Sequence, residues 1–249
     1  MTNVKQALLT SAVALFVLAG PAIQPAKASV TFAEASGSLS ASAAFDIVGG
    51  NLQVVLTNTS AADVLVPTEI LTAVYFDITG SPTLMPISAV LTTGSAAFFG
   101  PTNGGNVGGE WAYAKSGMPS HERIGSAGLD IFGRANFNGI NLQGPVAVGG
   151  LQYGITSAGD NLATGNAPVT GKNALLQNSV TFLLGSLPQN FALTQISNVA
   201  FQYGTDLADP VLPTNPIPEP ETYAMLIAGL GLMAFVARRR RAASLGDDE

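Results

Sequence analysis

The chain has 249 residues, of which 10% are charged and 47% apolar, with 28 glycines, no cysteine and a formal net charge of −6. Lack of cysteine excludes a disulfide scaffold, a thiolate metal site and a cysteine nucleophile. The acidic balance excludes a protein that holds phosphate backbones through clustered Lys and Arg.

Met1 to Ala28 reads as a secretory signal peptide. Lys5 supplies the positive start, Ala7 to Ala19 is an uncharged run of 13 residues, and Gly20-Pro21 breaks any helix after it. Ala26 and Ala28 then flank Lys27 in the small-x-small pattern that signal peptidase accepts, which makes Ser29 the expected new N-terminus. Thirteen residues are too few to cross a hydrocarbon core of about 30 Å, so a membrane helix is the weaker reading.

Residues 29–212 are expected to form one β-rich exported domain. Period-2 alternation marks Leu52 to Thr57, Leu71 to Ile78, Ser179 to Leu184 and Asn198 to Tyr203, each rich in β-branched or aromatic residues, and these read as half-buried strands. Turn signals punctuate them at Gly49-Gly50-Asn51, Asn58-Thr59-Ser60, Thr79-Gly80-Ser81-Pro82, Asn138-Gly139 and Ala158-Gly159-Asp160-Asn161. No helical stripe persists for three turns, and Ala61 to Val66 and Asn173 to Gln177 are at most single turns. The expected fold is all-β, a single β-sandwich-like domain flanked by an N-terminal signal helix and a C-terminal short apolar helix. The segment carries 11 acidic and four basic residues, so its surface must be mostly Ser, Thr, Asn, Gln and Gly. Leu151 to Thr156 and Phe201 to Thr205 share a Gln-Tyr-Gly core, which fits either a duplicated hairpin or coincidence in a glycine-rich β protein.

Chemistry-bearing residues are sparse here. His121, the single histidine, lies in Ser120-His121-Glu122-Arg123, and no Gly-x-Ser-x-Gly nucleophile elbow occurs. Glu110 beside Trp111, the single tryptophan, is the most suggestive sugar-binding or glycoside-cleaving pair, because an aromatic stacks on a sugar ring while an acid bonds its hydroxyls. The alternative is a loop aromatic packed on the sandwich. Asp160-Asn161 and Asp206 to Asp209 could offer oxygens to calcium, but they match no EF-hand or nonapeptide repeat, and ordinary Asx-turns explain them as well. Gly100 to Gly109 lacks the Lys-Ser/Thr of a phosphate-binding loop and reads as a plain loop. No catalytic residue, metal site or cofactor is therefore assigned, and the domain is expected not to be an enzyme. A secreted polysaccharide hydrolase and a calcium-dependent adhesin remain the alternatives.

Residues 213–220 (PTNPIPEP) hold four prolines, which predicts an extended, unpaired spacer. Pro218-Glu219-Pro220 closes it. Tyr223 to Ala237 comes next without a charge, then Arg238, Arg239, Arg240 and Arg241, then a cytoplasmic tail over residues 242–249. The 15-residue apolar run spans about 22 Å as a helix, short of the roughly 30 Å core. The arginine cluster should stay cytoplasmic, leaving everything before Pro218 outside.

Ile217 to Arg241 resembles the PEP-CTERM sorting domain of Gram-negative bacteria, with the Pro-Glu-Pro motif, short apolar helix and Arg-rich end in that order. Pieces between Leu52 and Pro210, such as LTNTS (Leu56 to Ser60) and VGGEWAY (Val107 to Tyr113), also look like an exosortase-dependent surface protein. The resemblance implies processing by exosortase, a membrane-embedded cysteine transpeptidase-like enzyme that acts near the motif. Pro218, Glu219 and Pro220 would be its recognition motif, with Glu219 as a polar handle between two rigid residues. Ala242 to Glu249 departs from family tails, which stop soon after the arginines. The implied route is export through the inner membrane with help from signal peptidase, transient anchoring, and arrival at the cell surface or extracellular matrix. There the protein would be structural or associated with polysaccharide in biofilm. A permanent single-pass anchor is the competing reading.

Overall fold

The computed structural model describes residues 29–99, 103–115, 122–126, 140–142, 154–166, 169, 174–204, 208–217, 229–231 and 233. The signal-cleavage residues Ala26 and Ala28, the motif Pro218, Glu219 and Pro220, the cluster Arg238 to Arg241, and His121 lie outside the described residues.

The described chain is built from strands. β1 (Ser29–Ser36), β2 (Leu39–Val48) and β3 (Asn51–Asn58) form an antiparallel meander. Its second turn is Gly49-Gly50, with φ of +57° and +79°. A type I′ hairpin turn, whose twist matches its strands, has positive φ at both central positions, which glycine adopts at the least steric cost. The remaining strands, in chain order, are β4 (Leu71–Ile78), β5 (Met85–Leu91), β6 (Ala96–Phe98), β7 (Trp111–Lys115), β8 (Glu122–Ser126), β9 (Ile140–Asn141), β10 (Gly154–Thr156), β11 (Leu175–Gln177), β12 (Ser179–Gly185), β13 (Ile196–Tyr203), β14 (Val211–Pro213) and β15 (Asn215–Ile217).

These strands make two sheets. Sheet A runs in the order β15-β1-β2-β3-β12-β5 and is antiparallel throughout. Sheet B centres on β4, with β8, β7 and β9 on one side and β13 and β14 on the other, while the β10-β11-β6 arm joins β4 at its start through Ile155 opposite Leu71. The predicted period-2 runs supply the facing surfaces. Ala43 and Phe45 of β2, Leu52, Val54 and Leu56 of β3, and Val180, Phe182 and Leu184 of β12 share one core with Val74, Phe76, Trp111, Ile124 and Phe201 of sheet B. Aromatic rings join the layers: Phe45 meets Phe76 edge-on with centroids 5.3 Å apart, and Trp111 lies 4.9 Å from Phe182. The architecture is an all-β sandwich.

Several expectations need correction. β4 is buried on both faces from Leu71 to Phe76, not half-buried. Its second face packs Ala73 and Tyr75 against Ala200, with Val211 alongside, and Gln202 of β13 spends its amide on the carbonyls of Tyr203 and Asp209. Leu175 to Gln177, expected in a helical turn, is β11 and pairs with β10 and β6. Its apolar pair Leu175-Leu176 is fully buried, and burial between sheets overrides so short a local pattern. Residues 61–66 hold no helical turn; the helical piece falls after them, as a 3₁₀ turn at Pro67–Glu69. The Gln-Tyr-Gly segments end in strands that flank Leu71 of β4 from opposite sides, through Ile155 and Tyr203. One arm continues in parallel pairing and the other in antiparallel pairing, so the two are not copies of one hairpin.

The chain twice passes from sheet B to sheet A through a single residue. Asn178, at φ +83°, links β11 to β12, and Thr214 links β14 to β15. Asn58 braces the first crossing by donating from its side chain to the Ile155 carbonyl at 3.0 Å. Thr214 braces the second with its backbone N–H and its hydroxyl, both donating to the Val199 carbonyl at 2.8 and 2.9 Å.

Candidate functional site

The strand registers bring the two ends of the folded domain together. β15 pairs antiparallel with β1, with Ile217 opposite Thr31, Pro216 opposite Phe32 and Asn215 opposite Ala33. Ser29, the first residue of β1, therefore sits at the same end of sheet A as Ile217. That pole also holds the Gly49-Gly50 turn, the end of β12 and the start of β5, because the sheet alternates direction strand by strand. The opposite pole holds the β1–β2 turn and the end of β3.

This geometry corrects the predicted spacer. Residues 215–217 are not unpaired, and the folded domain runs to Ile217 instead of stopping at Leu212. The prolines misled for a definable reason. Proline cannot donate to a ladder from inside a sheet, but an edge strand leaves one side unpaired, where a missing N–H costs nothing. β15 is one of the two edge strands of sheet A.

Comparison with known families identifies the segment that begins at this edge. Residues 216–241 match the family model of the PEP-CTERM protein-sorting motif. The chain carries a PEP-CTERM sorting signal. No curated protein and no solved structure matches the chain. The sorting signal starts within β15 itself, at Pro216, and it implies exosortase-dependent processing, export and placement at the cell surface. Gly229 to Gly231 and Met233, within the signal, are helical. Among the described residues no helix is long and apolar enough to cross a membrane.

The other candidate residues fall into different places. Trp111 is fully buried against Phe182 in the core and offers no face to a sugar. Glu110 is buried as well, at 4% exposure. The nearest other acid along the hairpin is Glu122, but Trp111 pairs with Ser126 and Lys115 with Glu122. Glu110 and Glu122 thus stand at opposite ends of β7–β8, about 16 Å apart along the strand, beyond the roughly 5–10 Å that paired carboxylates need around a glycosidic bond. Glu122 instead accepts a short hydrogen bond from the Tyr113 hydroxyl inside the core. Burial first, and then this carboxylate, push the Tyr113 phenol well above its ordinary range.

Asp160 does find an acidic neighbour, in Asp63. Asp63 accepts from the Asn161 backbone N–H at 2.8 Å and from the Thr164 hydroxyl, bonds that hold its pKa below the usual value. Asp160 accepts from the Val64 N–H at 3.2 Å, and burial, with Asp63 adding to it, raises its pKa. Together they lace the 59–66 loop to the 157–166 loop at the pole away from Ile217. Asp209 packs its carboxyl against Gly204, and Asp206 lies outside the described residues. No group of three or more His, Cys, Asp or Glu that could hold a metal occurs among the described residues.

Sequence reasoning missed Asp63, Tyr113–Glu122 and Gln202. A glutamate at an inward position beside a tyrosine at an inward position was the available signal for the second of these.

Proposed function

We propose that the folded domain is a non-enzymatic surface or matrix component that associates with extracellular polysaccharide in biofilm after its sorting tail is removed. The observation that carries the surface placement is the match of residues 216–241 to the PEP-CTERM sorting motif. Signal peptidase releases the N-terminus, the tail anchors the chain transiently, and exosortase then acts at Pro218-Glu219-Pro220, with Arg238 to Arg241 held on the cytoplasmic side.

The outer face of sheet A supports the polysaccharide reading. Three rows cross it in register: Thr31–Ala44–Val55–Thr181, Ala33–Ser42–Thr57–Ser179 and Ser29–Asp46–Gln53–Leu183. Asp46 is the one charge among these positions. Apart from Ser179, which is buried against Ser95, this ladder of hydroxyls, amides and small apolar groups matches the alternating hydroxyl and C–H surface of a neutral glycan, and it gives a phosphate or a polycation little to hold. The test is cosedimentation of the purified domain with the exopolysaccharide of its own cells at low and high salt. Binding that survives high salt and falls when Thr31, Thr57 and Thr181 are changed to Glu supports the reading. No binding at either salt overturns it.

A further inference from the structure

The geometry points to β15 as a stop for the sorting reaction: paired into the sheet edge, it bars processing upstream of Ile217, and it ends beside the start of β1, at one pole of the domain. The inference rests on the exosortase reading and adds to it where on this chain the enzyme can act.

A processing enzyme takes its substrate as an extended strand, because only then are both sides of the backbone open to the active site. Residues 215–217 are extended, but their backbone is already engaged with Thr31, Phe32 and Ala33 of β1. Upstream, Thr214 is held by two bonds to the Val199 carbonyl, and β14 is paired with β13 through Val211, Leu212 and Pro213. The whole stretch from Val211 to Ile217 therefore forms a strap that closes one flank of the sandwich, first along sheet B and then along sheet A. Reaching a bond within it requires peeling the strap away.

The same pairing sets the distance to the membrane. Six residue steps separate Ile217 from Tyr223, where the apolar run starts, so the pole stands at most about 21 Å from that run. An unpaired spacer beginning after Leu212 would have allowed about 38 Å. β1 starts directly after the expected signal-cleavage site, so both leaders attach to this one pole. A domain that hangs from the bilayer by either end, or by both, turns the same surface towards it.

The experiment maps the C-terminus of the exported protein by intact mass in cells that contain exosortase. It compares the full chain with three variants: Thr214→Pro, which removes the N–H donated to Val199; Thr214→Val, which removes only the hydroxyl; and a Gly-Ser-Gly-Ser insertion after Ile217. Trp111 fluorescence confirms that each domain is folded. The expected result is a terminus at or after Ile217 for the wild type, for Thr214→Val and for the insertion, and termini upstream of Asn215 for Thr214→Pro. Limited proteolysis of the purified precursor should show the same contrast, with first cuts after Ile217 in the wild type and within residues 211–217 in Thr214→Pro. A wild-type terminus upstream of Asn215, or a folded Thr214→Pro protein with the wild-type terminus, overturns the stop while leaving exosortase processing standing. A chain exported with Glu249 still in place overturns both.

Discussion

Trp111 offers the sharpest check on the sandwich, because the same residue is the best sugar-stacking candidate in the sequence and the largest buried side chain in the fold. Its ring lies 4.9 Å from Phe182 at 55°, across the two sheets. Truncation to Ala opens a cavity between the layers, and large aromatic deletions in cores cost about 3–5 kcal/mol. The indole Nε1 has no hydrogen-bond partner among the described residues, and removing an unsatisfied buried donor returns about 1–3 kcal/mol. The two contributions predict a net loss of about 2 kcal/mol for Trp111→Ala, within bounds of about 0–4 kcal/mol. Trp111→Phe keeps most of the ring contact and also removes the orphaned donor, so it should lie within about 1 kcal/mol of the wild type. Urea unfolding of residues 29–217 measures both. Since the chain has one tryptophan, its emission should be blue-shifted, shielded from iodide and unchanged by added oligosaccharide. Quenching of the wild-type emission by iodide, or a shift of it on adding oligosaccharide, would refute the buried placement.

Gly204→Ala should destabilise by about 2 kcal/mol or more, because the position has φ +80° and a Cβ would lie 2.2 Å from the Asp209 carboxyl; adding Asp209→Ala should restore only part, since the backbone strain remains. Asp160→Asn should raise thermal stability at pH 7, because the new amide can donate to Asp63 where two carboxyls now crowd. The raised pKa of Asp160 means that the folded state binds a proton more readily than the unfolded one, so its contribution improves as pH falls from neutral towards the unfolded value. Asp63, with a lowered pKa, acts oppositely and loses stability as pH falls below 3.8. Asp160→Asn should therefore remove the first trend, read as the difference between wild-type and variant melting curves from pH 7 to 3. Tyr113→Phe removes the donor from the buried Glu122 carboxyl and should cost about 1–3 kcal/mol in urea unfolding.

The long strands were legible because alternation and burial agree. Leu52 to Thr57, Leu71 to Ile78 and Ser179 to Leu184 all fall inside strands of the sandwich. The short ones were not. β6, β10 and β11 have three residues each, fewer than two periods of alternation, and their pairing is decided by distant partners. Burial of β4 on both faces was hidden for a related reason: alternating Ala73 and Tyr75 look like a solvent face until β13 and β14 supply a second cluster. At the sorting signal the order of motif, apolar run and arginines was plain from local chemistry alone. Local chemistry could not show that β15 belongs to the sheet, since that depends on β1, more than 180 residues earlier in the chain. Trp111 and Glu110 looked available because nothing in a Gly-rich approach such as Asn103 to Gly109 reveals that the strand after it turns inward.

The most direct measurement is the intact mass of the protein recovered from the cell surface, in cells with and without exosortase. The account predicts a chain that begins near Ser29 and ends between Ile217 and Tyr223 when the enzyme is present, and a membrane-bound chain that keeps Arg238 to Arg241 when it is absent. A surface protein that ends at Glu249 in both would contradict it.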